Sequence, residues 1–359
     1  MSGTSLDGID AALAEITAEG KIRLVANYYL PYPPDLRLQL LNLHYPQTDE
    51  IHLAALAANG LAGLYADAIH TLLSQANQAP ADIRAIGCHG QTLRHRPEAG
   101  YTLQICNAAL LTELTGITVI SNFRGRDIAA GGQGAPLVPA FHAQTLRHPS
   151  IHRVIVNIGG VANLTDLPPV GPVRGWDTGP GNMLLDAWIQ KHNGATYDKA
   201  GAWAASGTVN SALLASLLSH DFLGMPPPKS AGREQFNLDY LQEILATFST
   251  AIEPADVQAT LVEFTAQSLC AAIKKECSGV QEVYVCGGGV HNHALIQRIA
   301  SLLTPARVNS TAILGIDPDW MEALAFAWLA RQTLHGLPGN LPEATGAQGA
   351  RILGAIHPV

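Results

Sequence analysis

Residues 175–188 read "GWDTGPGNMLLDAW", which joins a short extended segment to an apolar helix through a turn of glycine and proline. Asp177 stands just before this turn. In one interpretation its carboxylate lies at a sheet edge, near a helix N-terminus that attracts anions, where a general base for a water or sugar hydroxyl belongs. In the other, Asp177 only organises the turn through local hydrogen bonds.

Strand-like and helix-like segments alternate on both sides of this stretch, which predicts the α/β class. The predicted strands are residues 9–16, 83–88, 117–120, 154–158 and 282–286. The predicted helices are residues 60–75, 183–192, 254–276, 292–303 and 318–335. The segment "RDIAAGGQGAPLVPAFH", residues 126–142, is rich in glycine and proline and predicts a domain boundary.

Glycine turns adjoin strand-like residues in three places: "MSGTSLDG" at 1–8, "NIGGVANL" at 157–164 and "VYVCGGGVHN" at 283–292. Backbone N–H groups in such turns bind phosphates. The G-x-G-x-x-G pattern fails at Asn292 and no G-x-x-x-x-G-K-[ST] occurs, which excludes the Rossmann fingerprint and the P-loop. Each turn alone is also explained as a tight connection, but the three together favour a nucleotide.

Glu322 is the only charged residue in "WMEALAFAWLA", residues 320–330. A carboxylate on an apolar helix face is costly to bury unless it is paired or functional. The alternative is that Glu322 points outward near the helix start and favours the helix dipole.

Three basic side chains are candidates for contact with a ligand. Arg124 and Arg126 in "NFRGRD" suit a carboxylate or phosphate through their planar guanidinium groups, although exposed arginines are often only solvated. His89 in "GCHGQT" directly follows a predicted strand, where it either hydrogen-bonds a ligand or is structural. No second His, Cys or carboxylate stands at metal-ligand spacing from it.

The chain has 359 residues and a net charge of −8, so it is long enough for two domains and too acidic to favour nucleic acid or an anionic membrane. Its five cysteines form no CxxC pair, which is typical of reduced thiols in the cytoplasm. The most apolar window, residues 323–330, is far shorter than the ~20 residues of a membrane span. We expect a soluble cytoplasmic protein.

Taken together, these stretches resemble the anhydro-N-acetylmuramic acid kinase family, which belongs to the sugar kinase/actin/Hsp70 superfamily. The resemblance also includes "AIGCHGQT", "PPKSAGRE", "MEALAFAWLA", "LPGN" and "TGA", and it covers residues 1 to about 347 in order. It implies a two-domain actin-like ATPase fold with an interdomain active-site cleft. Domain I would comprise 1–128 plus 345–359 with the phosphate hairpin, and domain II would comprise 129–344 with the catalytic Asp and the adenosine loop.

The resemblance implies an enzyme that uses ATP and Mg²⁺ in peptidoglycan recycling. Such enzymes open the bridge of 1,6-anhydro-N-acetylmuramic acid with water, phosphorylate O6 and give N-acetylmuramic acid 6-phosphate. A homodimer is implied as well.

By motif, Asp177 becomes the general base and Glu322 its helper at the attacking water. Arg126, Arg124 and His89 become the substrate-binding residues, with the arginines at the lactyl carboxylate. Mg²⁺ would be held through ATP, with a water-mediated contact to Asp7. The residues implied to bind the nucleotide are Gly3, Thr4, Ser5, Leu6, Asp7, Gly8, Ile9, Asp10, Gly159, Gly160, Gly287, Gly288 and Gly289.

The chain departs from the family pattern at four places. The family usually has Asp where Asn122 stands, often Arg where Gly125 stands, and usually Gly where Cys106 stands. Family members also begin with a short strand that ends at the turn of residues 3–8. We expect that strand to be missing here, because only Met1 and Ser2 precede the turn.

Three other functions stay open at this point. The first is an actin-like ATPase whose output is a conformational change. The second is a glycoside hydrolase that uses Asp177 and Glu322 as a carboxylate pair without nucleotide. The third is a catalytically silent sugar-binding module.

Overall fold

The computed structural model describes residues 1–3, 6–232 and 235–359. The strands are β1 Gly8–Ile16, β2 Ile22–Pro31, β3 Ile86–Gly87, β4 Gln91–Arg96, β5 Tyr101–Ile105, β6 Val119–Ser121, β7 Arg153–Ile158, β8 Val161–Leu167, β9 Arg174–Pro180, β10 Glu282–Cys286, β11 Arg307–Ser310 and β12 Ala355–His357. The helices are α1 Pro34–Asn42, α2 Glu50–Gln75, α3 Ala108–Thr115, α4 Phe123–Ala129, α5 Val138–Thr145, α6 Met183–Asn193, α7 Ala202–Ser206, α8 Ser211–Leu218, α9 Asp221–Gly224, α10 Leu238–Leu245, α11 Pro254–Glu276, α12 His293–Leu303, α13 Met321–Leu334 and α14 Pro342–Thr345.

The chain folds into two compact units: Met1–Thr145 together with Trp320–Val359, and Leu146–Asp319. These bounds differ from the expected domains, because residues 129–145 and 320–344 belong to the first unit. The cause is packing within that unit. The ring of Phe141 on α5 lies 6.0 Å from that of Trp328 on α13, and the backbone of Phe326 packs directly on Gly87 of β3. Glu322 therefore lies in the first unit and Asp177 in the second.

The second unit is built on a five-stranded mixed sheet of order β11-β10-β7-β8-β9. Strands β7, β10 and β11 are parallel, whereas β8 runs antiparallel to both of its neighbours. The central strands are buried, and α11 and α12 contribute apolar residues to the same core. The carboxyl ends of β7 and β10 lie side by side, since Asn157 pairs with Cys286.

The first unit has three small sheets of order β1-β2, β12-β6-β3 and β4-β5. Its core lies between the long helix α2, strand β1 and helix α3, with Leu40, Leu61 and Leu111 fully buried. The alternation of strands and helices in both units confirms the predicted α/β class.

Two predicted elements are corrected. Helix α2 begins at Glu50 rather than at residue 60, because the alanine-rich turns before Gly60 favour the helix. The predicted strand of residues 83–88 is reduced to Ile86–Gly87, which pair in parallel register with Val119 and Ile120 of β6. By contrast, α11 and β10 have the predicted bounds.

Candidate active site

Asp177 lies on β9, at a point where the pairing of β8 with β9 shifts between Ala162 and Asn163. Its Oδ2 atom accepts hydrogen bonds from Ser230 Oγ at 3.0 Å and from the Ala231 amide at 2.8 Å. No residue in the described part of the chain donates to Oδ1. Oδ2 is thus held by two residues of the protein, whereas Oδ1 accepts no hydrogen bond from the described residues.

Burial raises the pKa of the Asp177 carboxyl, since removal of water disfavours its charged form. The hydrogen bonds from Ala231 and Ser230 and the nearby Lys229 ammonium act in the opposite direction. Lys229 is itself anchored, because its Nζ donates to the Phe222 carbonyl at 2.8 Å. A carboxylate whose pKa is raised is a stronger base, as a general base should be.

A row of polar side chains crosses the sheet at the level of Asp177. Asp177 pairs with Asn163 on β8, Asn163 with Asn157 on β7, and Asn157 with Cys286 on β10. Directly opposed residues in neighbouring strands share one face of a sheet. The two asparagines are half-buried on that face, and the sequence did not single them out. The only signal for them was their position in "NIGGVANL".

The Gly159-Gly160 turn joins β7 to β8 and lies against the start of α6. The amides of Gly181 and Asn182 donate to the Gly160 and Gly159 carbonyls, each at 2.8 Å, and the amide of Met183 donates to Gly160 at 3.1 Å. The first amides at this helix start are therefore occupied by carbonyls of the turn. Fewer amides at the start of α6 are therefore free to attract an anion beside Asp177 than was expected.

The Gly287–Gly289 loop follows β10 and has one glycine that packing does not explain. Gly287 has φ of +79°, and a Cβ there would overlap Asn157 Oδ1; a Cβ on Gly289 would overlap Ile158. Gly288 is exposed, and a Cβ there would meet only Asn182 Nδ2 at 3.8 Å. The amides of Gly288 and Gly289 have no acceptor among the described residues. Two free donors on a bare backbone fit a phosphate-bearing ligand.

In the first unit, Glu322 lies in the first turn of α13 and is half-buried. It makes no hydrogen bond with any residue for which the structure is described. Burial raises the pKa of its carboxyl, Asp10 raises it further, and the Arg124 guanidinium opposes the shift. A half-buried carboxylate that accepts no hydrogen bond from the described residues is a candidate for contact with a water or a hydroxyl.

Arg124 and His89 form one hydrogen-bonded pair. His89 Nδ1 lies 2.7 Å from the Gly90 carbonyl and must donate to it, so Nε2 accepts from Arg124 Nε at 3.1 Å. Burial and the neighbouring guanidinium hold the pKa of His89 well below its ordinary value, which keeps the ring neutral. Both ring nitrogens are therefore used within the protein. His89 positions Arg124 in this structure, whereas a direct contact between its ring nitrogens and substrate was expected.

Arg126, two residues further along α4, is exposed, and no described residue forms a hydrogen bond or ion pair with it. Its guanidinium is free to bind an anion. Arg124 is half-buried, and its Nη1 donates to the Gly134 carbonyl at 2.9 Å. The two arginines thus differ in how firmly they are held.

Asp127 is fully buried beside them and was missed by sequence reasoning. Its Oδ2 accepts from the Gly134 amide at 2.8 Å. Its Oδ1 accepts from Asn340 Nδ2 at 2.6 Å and from Thr345 Oγ1 at 2.8 Å. Gly134 is thereby fixed at both ends, with its amide on Asp127 and its carbonyl on Arg124. Asn340 of "LPGN" and Thr345 of "TGA" thus donate hydrogen bonds to this carboxylate.

The N-terminal turn that was predicted to bind phosphate is only partly described, since Thr4 and Ser5 lie outside the described residues. Leu6 and Ile9 are core residues with 1% and 2% exposure, so only their backbone can face a ligand. Gly8 packs against β2, where a Cβ would lie 2.5 Å from the Leu30 carbonyl oxygen.

Asp7, Gly3 and Asp10 of the same turn differ in their exposure and in their hydrogen bonds. Asp7 is exposed, as a water-mediated contact to a metal would require. Gly3 accepts a hydrogen bond at its carbonyl from Gln91 Nε2 at 3.1 Å. Asp10 and Met1 exchange two backbone hydrogen bonds of 2.8 and 2.7 Å, so the first residue pairs with β1.

Among the described residues, no group of three or more His, Cys, Asp or Glu side chains is placed to hold a metal ion. The same residues include no helix with the length and apolar character needed to cross a membrane. A carboxylate base and glycine loops at the ends of sheet strands are parts that phosphotransferases of the α/β class use.

The chain matches the family model described as anhydro-N-acetylmuramic acid kinase over residues 1–359. It is 68% identical over 358 residues to the anhydro-N-acetylmuramic acid kinase of Thiobacillus denitrificans, covering 100% of this chain and 96% of the relative. It is 54% identical over 360 residues to the protein of the same name in Nitrosospira multiformis, covering 100% and 97%.

Among solved structures, similarity is weaker. An activator of 2-hydroxyisocaproyl-CoA dehydratase from Clostridium difficile, with bound ADPNP, matches with a TM-score of 0.43 and 14% identity over 90% of this chain and 94% of that one. A likeness at this level carries no argument about the present chain.

The protein belongs to the anhydro-N-acetylmuramic acid kinase family, as the match over the whole chain and the identity to its relatives show. It is accordingly an enzyme of the phosphotransferase class. The resemblance predicted from the motifs is confirmed, and the mixed α/β architecture agrees with the fold class that it implied.

Proposed function

We propose that this enzyme opens the intramolecular bridge of 1,6-anhydro-N-acetylmuramic acid with water and phosphorylates O6 with ATP. The products are N-acetylmuramic acid 6-phosphate and ADP. The observation that carries the proposal is the Asp177 carboxylate, with Oδ2 held by Ser230 and Ala231, Oδ1 available and its pKa raised by burial. The names of the relatives support the choice of sugar.

In the proposed reaction Asp177 Oδ1 takes a proton from the attacking water. The water oxygen forms a bond to the anomeric carbon, and the bond between that carbon and O6 breaks. O6 leaves with its electron pair and attacks the γ-phosphorus of ATP, from which ADP departs. The leaving oxygen needs no separate acid, because the phosphoryl group captures it. One base is therefore sufficient for both ring opening and phosphoryl transfer.

The glycine loops are proposed to hold the nucleotide. The amides of Gly288 and Gly289 have no acceptor among the described residues and suit an anionic or polar part of ATP. The turn from Gly3 to Asp10 and the Gly159-Gly160 turn complete the nucleotide-binding set in this proposal. Mg²⁺, bound through ATP and near Asp7, would neutralise charge on the triphosphate.

The side chains that the family resemblance assigns to the acceptor sugar are proposed to make the remaining contacts with it. Glu322, to which no described residue donates a hydrogen bond, would accept one from a water or sugar hydroxyl. Arg126 and Arg124 would bind the lactyl carboxylate through their guanidinium groups. His89 would act through Arg124, since both of its ring nitrogens are occupied.

The cellular setting is part of the same proposal. A phosphorylated amino sugar derived from the cell wall points to peptidoglycan recycling in the cytoplasm. A homodimer is proposed on the family resemblance alone.

The test is to incubate the protein with ATP, Mg²⁺ and the anhydro sugar in ¹⁸O-labelled water. We expect ADP and sugar phosphate in equal amounts, with the label on the C1 hydroxyl and none in the phosphate. Omission of ATP is the control and should leave the bridge intact. Bridge opening without ATP would indicate a hydrolase, and ADP without sugar phosphate would indicate an ATPase; either result would contradict the proposal.

A further inference from the structure

Two cysteine thiols meet in the first unit, outside the set of residues assigned to the reaction. Cys88 directly follows β3 and Cys106 directly follows β5, and their Sγ atoms lie 3.2 Å apart. The chain turns sharply between them at Gly90, which has φ of +76° and passes so close to Cys106 that a Cβ there would lie 3.3 Å from the Cys106 Cβ. The backbone therefore fixes the two thiols as neighbours.

The pair differs from the other three cysteines, which lie in the second unit. Cys270, Cys277 and Cys286 are at least 97% buried, and none of them forms a disulfide. Burial raises the pKa of Cys270 to about 12. In the pair, Cys106 is half-buried and so open to a small reagent. The hydrogen bond between Cys106 and Cys88 lowers the pKa of the Cys88 thiol.

We propose that Cys88 and Cys106 are a modification site, at which hydrogen peroxide oxidises the two thiols to a reversible disulfide within one chain. A disulfide needs a sulfur–sulfur distance of about 2.0 Å, so the sulfur atoms must approach by about 1.2 Å from their present 3.2 Å. Rotation about the Cα–Cβ bonds of the two cysteines, together with a small shift of the backbone at Cys88, supplies a movement of that size without a change of fold.

The chemistry balances with the peroxide as the oxidant. A thiolate of the pair attacks one peroxide oxygen, the O–O bond breaks, and a sulfenic acid and hydroxide form. The second sulfur, once deprotonated, attacks the sulfenic sulfur, the S–S bond forms, and the hydroxyl group leaves as hydroxide. The two thiol protons and the two hydroxides give two molecules of water. Both sulfurs are oxidised and the peroxide is reduced.

The site also has a connection to the reaction, and this step rests on the proposed function. Cys88 precedes His89, whose Nε2 holds Arg124 Nε at 3.1 Å. A shift of Cys88 toward Cys106 moves the backbone that carries His89. We therefore expect the disulfide to weaken binding of the anhydro sugar through Arg124.

The first experiment reads the disulfide without any activity assay. The folded full-length protein is treated with hydrogen peroxide, alkylated and digested with trypsin, which places Cys88 in peptide 85–94 and Cys106 in peptide 95–124. We expect these two peptides to become linked, with the loss of two hydrogen atoms, and to separate after dithiothreitol. Cys106→Ala and Cys88→Ala should abolish the link, whereas Cys270→Ala should leave it unchanged. A link between two chains, equal oxidation of the other cysteines, or no link would overturn the proposal.

The second experiment compares KM for the anhydro sugar before and after peroxide. We expect a rise of severalfold that dithiothreitol reverses and that is absent in Cys106→Ala. An unchanged KM in the disulfide form, or an equal rise in Cys106→Ala, would refute the connection to Arg124. Failure of the proposed function would appear separately, as reduced wild-type protein that forms no sugar phosphate.

Discussion

Replacement of Asp127 by Asn tests whether this buried carboxylate positions Arg124. Its two oxygens accept from the Gly134 amide at 2.8 Å, Asn340 Nδ2 at 2.6 Å and Thr345 Oγ1 at 2.8 Å. An Asn side chain has one acceptor oxygen, so its NH₂ group faces a donor in either orientation. Asn340 cannot turn its amide over without losing the bond from the Arg351 amide to its Oδ1.

The magnitude follows from these contacts. A buried donor left without an acceptor costs about 1–3 kcal/mol, and hydrogen bonds to a charged group are worth about 1.5–3 kcal/mol, more than neutral ones. We expect a loss of about 3 kcal/mol in the free energy of unfolding. For a unit of this size each kcal/mol lowers the melting temperature by about 2–4 °C, so the decrease should be about 6–12 °C.

The functional effect should be selective. Gly134 carries the carbonyl that holds Arg124 Nη1, so its displacement frees the guanidinium. We expect KM for the anhydro sugar to rise about tenfold, which corresponds to about 1.4 kcal/mol, while the affinity for ATP and kcat change little. Steady-state kinetics with each substrate varied in turn, and thermal melting, are the assays.

Asp198→Asn is the matched control. Asp198 is a buried carboxylate of the second unit that accepts from the Trp203 and Ala204 amides, each at 2.9 Å. It should lower the melting temperature without a change in KM for the sugar. If both variants raised this KM equally, or if Asp127→Asn impaired ATP and sugar alike, the positioning role of Asp127 would be refuted.

Three further variants test the other parts of the site. Gly288→Ala should leave the melting temperature within about 1 °C of wild type, because the added Cβ has room, yet it should weaken ATP binding about tenfold. Gly287→Ala should instead destabilise the fold. Calorimetric melting and titration with ATP distinguish the two variants. Ser230→Ala removes a hydrogen bond that lowers the pKa of Asp177, so this pKa should rise. The acid limb of the pH profile of kcat/KM should therefore move to higher pH. An acid limb that stays in place or moves to lower pH would exclude Asp177 as the titrating group. Glu322→Gln should lower kcat far more than it lowers ATP affinity, and loss of nucleotide binding in that variant would assign Glu322 a structural role.

The sequence predicted those features that depend on residues close together in the chain. Helix α11 has its predicted bounds because Pro254 suits the first helical position. The glycine loop after β10 follows from the turn chemistry of three consecutive glycines. Asp177 was singled out because it stands between a short extended segment and a glycine turn that leads into an apolar helix, and its role as a base stays a prediction.

Features that depend on distant contacts were missed. Asp127 binds Asn340 and Thr345, which lie more than two hundred residues away along the chain, so no local pattern could indicate them. Asn163 is placed beside Asp177 by a strand register that includes an irregularity. His89 was expected to contact a ligand, but its two ring nitrogens are committed to Gly90 and Arg124.

Asp177→Asn tests the central claim, that Asp177 is the base for ring opening coupled to phosphoryl transfer. The Asn oxygen can keep the hydrogen bonds from Ser230 and Ala231 while the free Oδ1 position becomes a non-basic NH₂ group, so fold and ligand affinities should hold. General-base catalysis is worth about 10²–10⁴-fold. Because ring opening and phosphoryl transfer are coupled, ADP release and sugar phosphate formation, measured in the same reaction, should both fall by at least that factor. Near-normal turnover in a folded Asp177→Asn protein, or loss of one product without the other, would contradict the proposed mechanism.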